Sequence, residues 1–305
     1  MRPDSLNFQQ IKKRYLKFLK SQEVTSEPFR DKQGQLRNFY LPICENVNSE
    51  YVKSKKTKII GLSGGQGTGK STISQILKII LKEGFNLETV IFSIDDFYKT
   101  RKERKIMAKK ISPLFLTRGV PGTHDTKMLF NCIKNLKKNR FKKMMVPKFD
   151  KSKDDRSPKS KWLAVKKKPN IVIFEGWCVG VASQKKKDLV FSINKLEEQK
   201  DKKKIWRQTV NKELQNNYQK IFCLIDRLIF LKVPSFKYIY KWRLLQEKKL
   251  RAKSKGHKIM SDKQVKNFIM YYERLTKNML KILPKKANIV IDIDKNHRLK
   301  SIKFN

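Results

Sequence analysis

The chain has 305 residues, 73 of them Lys or Arg and 27 Asp or Glu, for a formal net charge of +46. Hydrophobic residues make up 39% and are spread along most of the length, enough to build the core of one large α/β domain or two small ones. Four dispersed cysteines and three dispersed histidines argue against a disulfide framework and a structural zinc site, and suit a reducing cytoplasm.

Residues 1–57 read as an N-terminal helical segment packed on the main domain. Ile11, Tyr15, Phe18 and Leu19 form one apolar stripe, and Pro28, Gly34 and Pro42 punctuate the rest of the segment. A transit peptide over Leu6–Leu19 is disfavoured by Asp4 and Glu23, and no secretory pattern comes after Met1. Lys58–Leu62 is a buried strand. It leads into Gly64-Gly65-Gln66-Gly67-Thr68-Gly69-Lys70-Ser71, the P-loop spacing, with Thr72 next. Such a loop turns backbone N–H groups into one hollow, and the helix after it adds its positive end. Lys70 can reach the β- and γ-phosphates of ATP, and Ser71 can ligate Mg²⁺. Ile73, Ile76, Leu77 and Ile80 mark the core face of that helix. G-x-G-x-x-G does not fit, because Lys70 stands three after Gly67.

Thr89–Ile94 reads as a second buried strand ending in Asp95-Asp96. A carboxylate at the end of a strand beside a P-loop can take a proton from an attacking hydroxyl or hold the metal. Arg118-Gly119-Val120-Pro121-Gly122-Thr123-His124-Asp125 is a turn-rich segment before a helix over 125–138. Thr123 or Asp125 can simply cap that helix; alternatively Arg118 meets an acidic group and His124 or Asp125 meets hydroxyls. The stretch from Val146 through Lys148 to Pro158 reads as a solvated polar loop. Ile171–Phe174 is a third strand, closed by Glu175 in a position to hold Mg²⁺. Lys185–Lys204 is helical in character and joined to a helix ending near Tyr218. Leu228–Val233 is a fourth strand. In Ile221–Val233, Asp226-Arg227 interrupts an apolar run that is too short to cross a bilayer. Ser235 caps a helix carrying Trp242, Arg243, Gln246, Glu247 and Arg251. A helix over 261–283, a strand over Ala287–Ile293 and a basic tail complete the chain. The alternation implies an α/β fold, a P-loop NTPase-like mostly parallel sheet with helices on both faces.

Several segments together resemble the P-loop D-glycerate 3-kinases of plants, cyanobacteria and fungi, a branch near phosphoribulokinase, uridine kinase and pantothenate kinase. They are Gly61–Thr72, Ser93–Tyr98, Thr117–Asp125, Val146–Ser152 with Asp155-Arg156, Phe174–Trp177, and Trp242-Arg243 with Gln246-Glu247. The resemblance implies transfer of the ATP γ-phosphate to D-glycerate, giving 3-phosphoglycerate. It implies Asp95 as general base, Glu175 as the Walker-B-like acid, and Arg118, His124, Asp125 and Lys148 as substrate contacts. Phe149, where a Tyr is common, and the short Lys153-Asp154 turn depart from the pattern.

The expected organisation is therefore a kinase domain over 58–305, with substrate and lid insertions around 98–165 and 235–260 and Arg243 as a lid arginine. ATP, Mg²⁺ and a small-molecule substrate are the expected partners. The lysine excess runs through the whole chain without an RNA-binding aromatic pattern, so it reads as compositional bias rather than a nucleic-acid surface. Two rivals remain: a kinase of the same fold acting on a uridine- or pantothenate-like acceptor, and a nucleic-acid-stimulated P-loop ATPase.

Overall fold

In the computed structural model, residues 5–23, 29–253 and 260–305 are described. Asp4, Pro28, His257 and the stretch 254–259 of the expected lid segment lie outside them, as do the side chains of Gln246 and Arg251. The centre is a six-stranded sheet. Its strands are β1 (Lys58–Gly64), β2 (Thr89–Ser93), β3 (Ile171–Gly176), β4 (Arg227–Lys232), β5 (Ile289–Ile293) and β6 (Leu299–Phe304). The spatial order is β6-β5-β4-β1-β3-β2, parallel throughout except that β6 runs antiparallel to β5.

Strand residues alternate between two cores, as the pleat requires. Ile59, Phe92, Val172, Phe174, Phe230 and Val290 face one side, where α5 (Thr126–Lys137), α6 (Ile205–Glu213) and α8 (Asp262–Lys286) pack. Ile60, Leu62, Ile171, Ile173, Ile229 and Ile291 face the other, against α1 (Ser5–Gln22), α2 (Leu41–Ser54) and α3 (Lys70–Phe85). The α1 stripe Ile11, Tyr15 and Leu19 is buried in this second core. Helices thus cover both faces, the arrangement the alternating sequence predicts. The two remaining long helices, α4 (Arg101–Lys110) and α7 (Phe236–Lys253), border the site.

Four local expectations are corrected. The second strand stops at Ser93, because Ser93 and Asp96 form a reciprocal capping box that starts a 3₁₀ turn over Ile94–Phe97. Lys185–Lys204 is not one helix. It breaks into a 3₁₀ turn (Lys186–Leu189) and a short helix (Lys195–Lys200) capped by Asn194. The helix ends where Asp201 turns its carboxylate onto the N–H groups of Trp206 and Arg207. The stretch Val146–Pro158 is not one solvated loop: Phe149–Asp150 pairs antiparallel with Asp155–Arg156, and at its flanks Met144–Val146 pairs with Leu163–Val165. The basic tail is strand β6, which closes the sheet edge beside β5. Its few half-buried apolar residues, Leu299 and Ile302, gave too weak an alternation to register.

Among the described residues no helix is long and apolar enough to cross a membrane.

Candidate active site

The order of strands makes the site. β1 lies between β3 and β4, so the connections leaving β1 and β3 diverge and open a crevice at the carboxyl ends of the strands. Glu175 is registered beside Leu62 of β1 and Ser93 of β2. The P-loop, Asp95 and Glu175 therefore come from three adjacent strand ends.

Gly64–Gly69 forms the loop, and α3 starts at Lys70. Gly69 caps α3 at φ 83°, and Gly67 has φ 76°, both in the left-handed region that glycine tolerates. A side chain at Gly67 would also meet Trp242 Cβ at 3.3 Å and the Arg243 backbone N at 3.7 Å, so α7 lies directly on the loop. Thr68 Oγ1 donates to the Gly65 carbonyl at 2.9 Å. Gln66 Oε1 is buried without a protein partner. Lys70 Nζ donates to the carbonyls of Gly64 and Gly65, each at 2.9 Å. Burial pushes the Lys70 ammonium below its ordinary range, against the opposing pull of Glu175 and Asp95. Ser71 donates to Glu175 Oε1 at 3.0 Å, and Thr72 is next in the same turn. Glu175 is 8% exposed. Its burial raises the carboxyl; Lys70 opposes and Asp95 adds to the shift. Ser71 and Glu175 are paired oxygen donors, the type Mg²⁺ takes when phosphates and water complete its shell.

Asp95 carries two partners. Tyr98 donates to Oδ1 at 2.8 Å and Lys151 to Oδ2 at 2.9 Å. Burial would raise this carboxyl, but Lys151, with smaller help from the Tyr98 hydroxyl, outweighs it and holds Asp95 below its ordinary range. Asp96 points elsewhere: its Oδ2 accepts from Ser93 N at 3.0 Å and Lys148 Nζ at 2.8 Å. Asp96 is thus a cap with its own lysine, and Lys148 reaches the site edge through it.

Arg118 pairs with Asp154 and lies over the Phe149 ring, 5.4 Å from its centroid. His124 is buried, stacked on Tyr98 at 4.5 Å, with Nδ1 2.5 Å from the Tyr218 hydroxyl. Burial holds its pKa down at about 3, so the ring is neutral near pH 7. It builds the wall behind Tyr98 and Asp95. Asp125 caps α5 by accepting from Met128 N at 3.0 Å and meets Arg156 at 3.4 Å. Arg243 pairs with Glu247, and its guanidinium stands 5.9 Å over Phe268. The structure thus brings Lys70, Ser71, Glu175 and Asp95 into one group, with Lys148 on the adjacent Asp96, Arg118 on Asp154 and Asp125 on Arg156 beside it. Arg243 is placed by the loop–α7 contact.

Two features escaped the sequence. Lys151 lies within the expected polar loop, and Arg104, which the sequence does not set apart from the other basic residues, is 1% exposed. Only the spacing of Thr100 and Glu103, a capping box, hinted that α4 was a fixed element.

A strand–P-loop–helix with carboxylates at the two neighbouring strand ends defines a P-loop kinase, a phosphotransferase that uses ATP. Residues 59–213 match the model of the Phosphoribulokinase / Uridine kinase family, and the chain belongs to that family. The uncharacterized kinase mug58 of Schizosaccharomyces pombe is 38% identical over 222 residues, covering 70% of this chain and 78% of that protein. The chloroplastic D-glycerate 3-kinase of Arabidopsis thaliana is 30% identical over 257 residues, covering 79% of this chain and 53% of that protein. The D-glycerate 3-kinase structure from Cryptococcus neoformans shares the fold, with TM-score 0.72 over 87% of this chain and 97% of that one at 22% identity.

Proposed function

We propose that the protein phosphorylates the 3-hydroxyl of D-glycerate from MgATP, giving 3-phosphoglycerate. The observation that carries this reading is the cationic rim on the acceptor side of Asp95. Lys151, Lys148, Arg118 and Arg156 all lie there, each on a carboxylate of the site or its walls. That rim suits a small alcohol bearing an anionic group. Similarity to the plant D-glycerate 3-kinase points the same way.

In this mechanism Lys70 holds the β- and γ-phosphates, while Ser71 and Glu175 would hold Mg²⁺. The bound ion supplies positive charge where phosphate charge develops. Asp95 accepts the proton of the attacking hydroxyl. The new P–O bond forms as the bond to the β-phosphate oxygen breaks, and ADP leaves. Arg118 and Lys148 hold the acceptor carboxylate, with His124 and Asp125 shaping that wall. Arg243, on the α7 part of the 235–260 lid, helps neutralise the transferred group. Catalysis is then positioning and charge stabilisation. Residues 58–305 make the kinase unit, 1–57 buttress its sheet, and 98–165 carries the acceptor side. The dispersed free cysteines support a cytoplasmic location.

The test is product formation from MgATP with a panel of acceptors: D-glycerate, uridine, pantothenate, and RNA in parallel. Glycerate-dependent release of ADP with 3-phosphoglycerate is the expected result. RNA-stimulated hydrolysis without glycerate turnover would instead make the +46 charge functional. Glu175→Gln is expected to lower turnover about 100-fold and to raise the Mg²⁺ needed for half-maximal rate. An unchanged Mg²⁺ requirement would remove Glu175 from the metal.

A further inference from the structure

Lys151 belongs neither to the P-loop nor to a strand end, yet it sits on the candidate base. It stands at the tip of the small hairpin Phe149–Asp150/Asp155–Arg156. That tip is tightly built. Asp150 Oδ1 accepts from the N–H groups of Ser152 at 2.9 Å and Lys153 at 3.2 Å. Asp154 has φ 56°, a left-handed conformation in which its carboxylate turns back to the body of the protein. There Arg104 meets it at 2.9 Å and Arg118 pairs with the same oxygen. Arg104 also donates to the Asp154 carbonyl at 2.8 Å and the Lys99 carbonyl at 3.2 Å, and it holds the Leu116 carbonyl at 2.6 Å. Burying a guanidinium this completely is costly unless every donor is engaged. The buried arginine therefore ties α4, the segment before Arg118, and the hairpin tip into one clamp.

We propose that Lys151 is a positioning residue for phosphoryl transfer: the clamped tip holds its ammonium on Asp95, where it orients the base toward the acceptor hydroxyl. This rests on Asp95 being the base for the acceptor hydroxyl. Tyr98 fixes Oδ1 and Lys151 fixes Oδ2, which leaves lone pairs on the carboxylate for an incoming hydroxyl. The groups facing Asp95 from the surrounding elements are Tyr98, His124, Lys70, Glu175, Cys178 and Tyr272. His124 is neutral, Glu175 bears the same sign as Asp95, and Lys70 is turned to the P-loop carbonyls. Among the described residues, Lys151 is the cation in direct contact with it. An ion pair with one exposed partner adds little to folding, so the pair's effect falls on the chemistry. The Lys151 side chain is 64% exposed, so its substitution is expected to leave the fold intact.

The experiment compares wild type with Lys151→Met and Lys151→Arg. The Asp95 carboxyl titration is followed by carbon-13 NMR and assigned by its loss in Asp95→Asn. The midpoint is expected to rise by at least about one pH unit in Lys151→Met and to stay near the wild-type value in Lys151→Arg. In turnover with the acceptor that the panel identifies, Lys151→Met is expected to lower kcat about 100-fold at neutral pH with KM for ATP unchanged, and Lys151→Arg to restore most of it. An unmoved midpoint in Lys151→Met overturns the proposal, even if kcat falls. The midpoint is read without acceptor, so a wild type inactive on D-glycerate overturns the acceptor reading alone.

Discussion

Asp95→Asn is expected to reduce phosphoryl transfer by about 10²- to 10⁴-fold while ATP still binds with near-normal affinity. The substitution keeps the shape of the side chain, so the Tyr98 contact and the 3₁₀ turn survive. It removes the acceptor for the hydroxyl proton and leaves the Lys151 ammonium without its counter-ion. The P-loop contacts of Lys70, Thr68 and Ser71 do not involve Asp95. Nucleotide binding measured by calorimetry and turnover measured by coupled assay should therefore separate cleanly. Near-wild-type turnover would take the base role away from Asp95, and with it the proposed mechanism.

The largest effect on stability is expected at Arg274. This α8 residue makes a bidentate pair with Glu197, Nε to Oε1 at 2.7 Å and Nη2 to Oε2 at 2.6 Å. Its remaining donors reach the carbonyls of Asp188 at 2.6 Å and Phe191 at 2.7 Å. Glu197 is fully buried and Arg274 is 7% exposed. Arg274→Ala leaves a carboxylate in the interior with no cation and frees two carbonyls. A loss of about 3–5 kcal/mol in urea unfolding is expected. Arg274→Met combined with Glu197→Leu should recover much of it, since a packed apolar pair removes the stranded charge. Lys277→Ala, which removes an exposed lysine from its pair with Glu273 while Asn194 still donates to that carboxylate, should change stability by less than about 1 kcal/mol. Equal losses from both single substitutions would show that burial does not set the value of these pairs.

These expectations draw on different depths of information. The P-loop was legible because its constraint is local: a backbone that curls tightly needs glycine at fixed offsets, and the helix after it shows its core face at Ile73, Ile76, Leu77 and Ile80. Glu175 and Asp95 were legible because a short apolar run ending in an acid is a strand end. Their proximity was not, because it depends on β3 inserting between β1 and β2. The segment 185–204 misled because its lysines are compatible with a helix, whereas Asn194, Asp201 and buried contacts to α8 dictate the breaks.

Composition and local pattern were enough for the fold class, the nucleotide loop and two acids, since hydrophobic periodicity and turn chemistry act over a few neighbouring residues. They could not show that Lys151 meets Asp95 across 56 residues, or that Arg104 is buried against Asp154 across 50. A lysine or arginine on a basic chain has the same local character whether it lies in solvent or on a carboxylate. Its electrostatic role depends on distance and desolvation, and both arise when the sheet and the hairpin bring distant segments together.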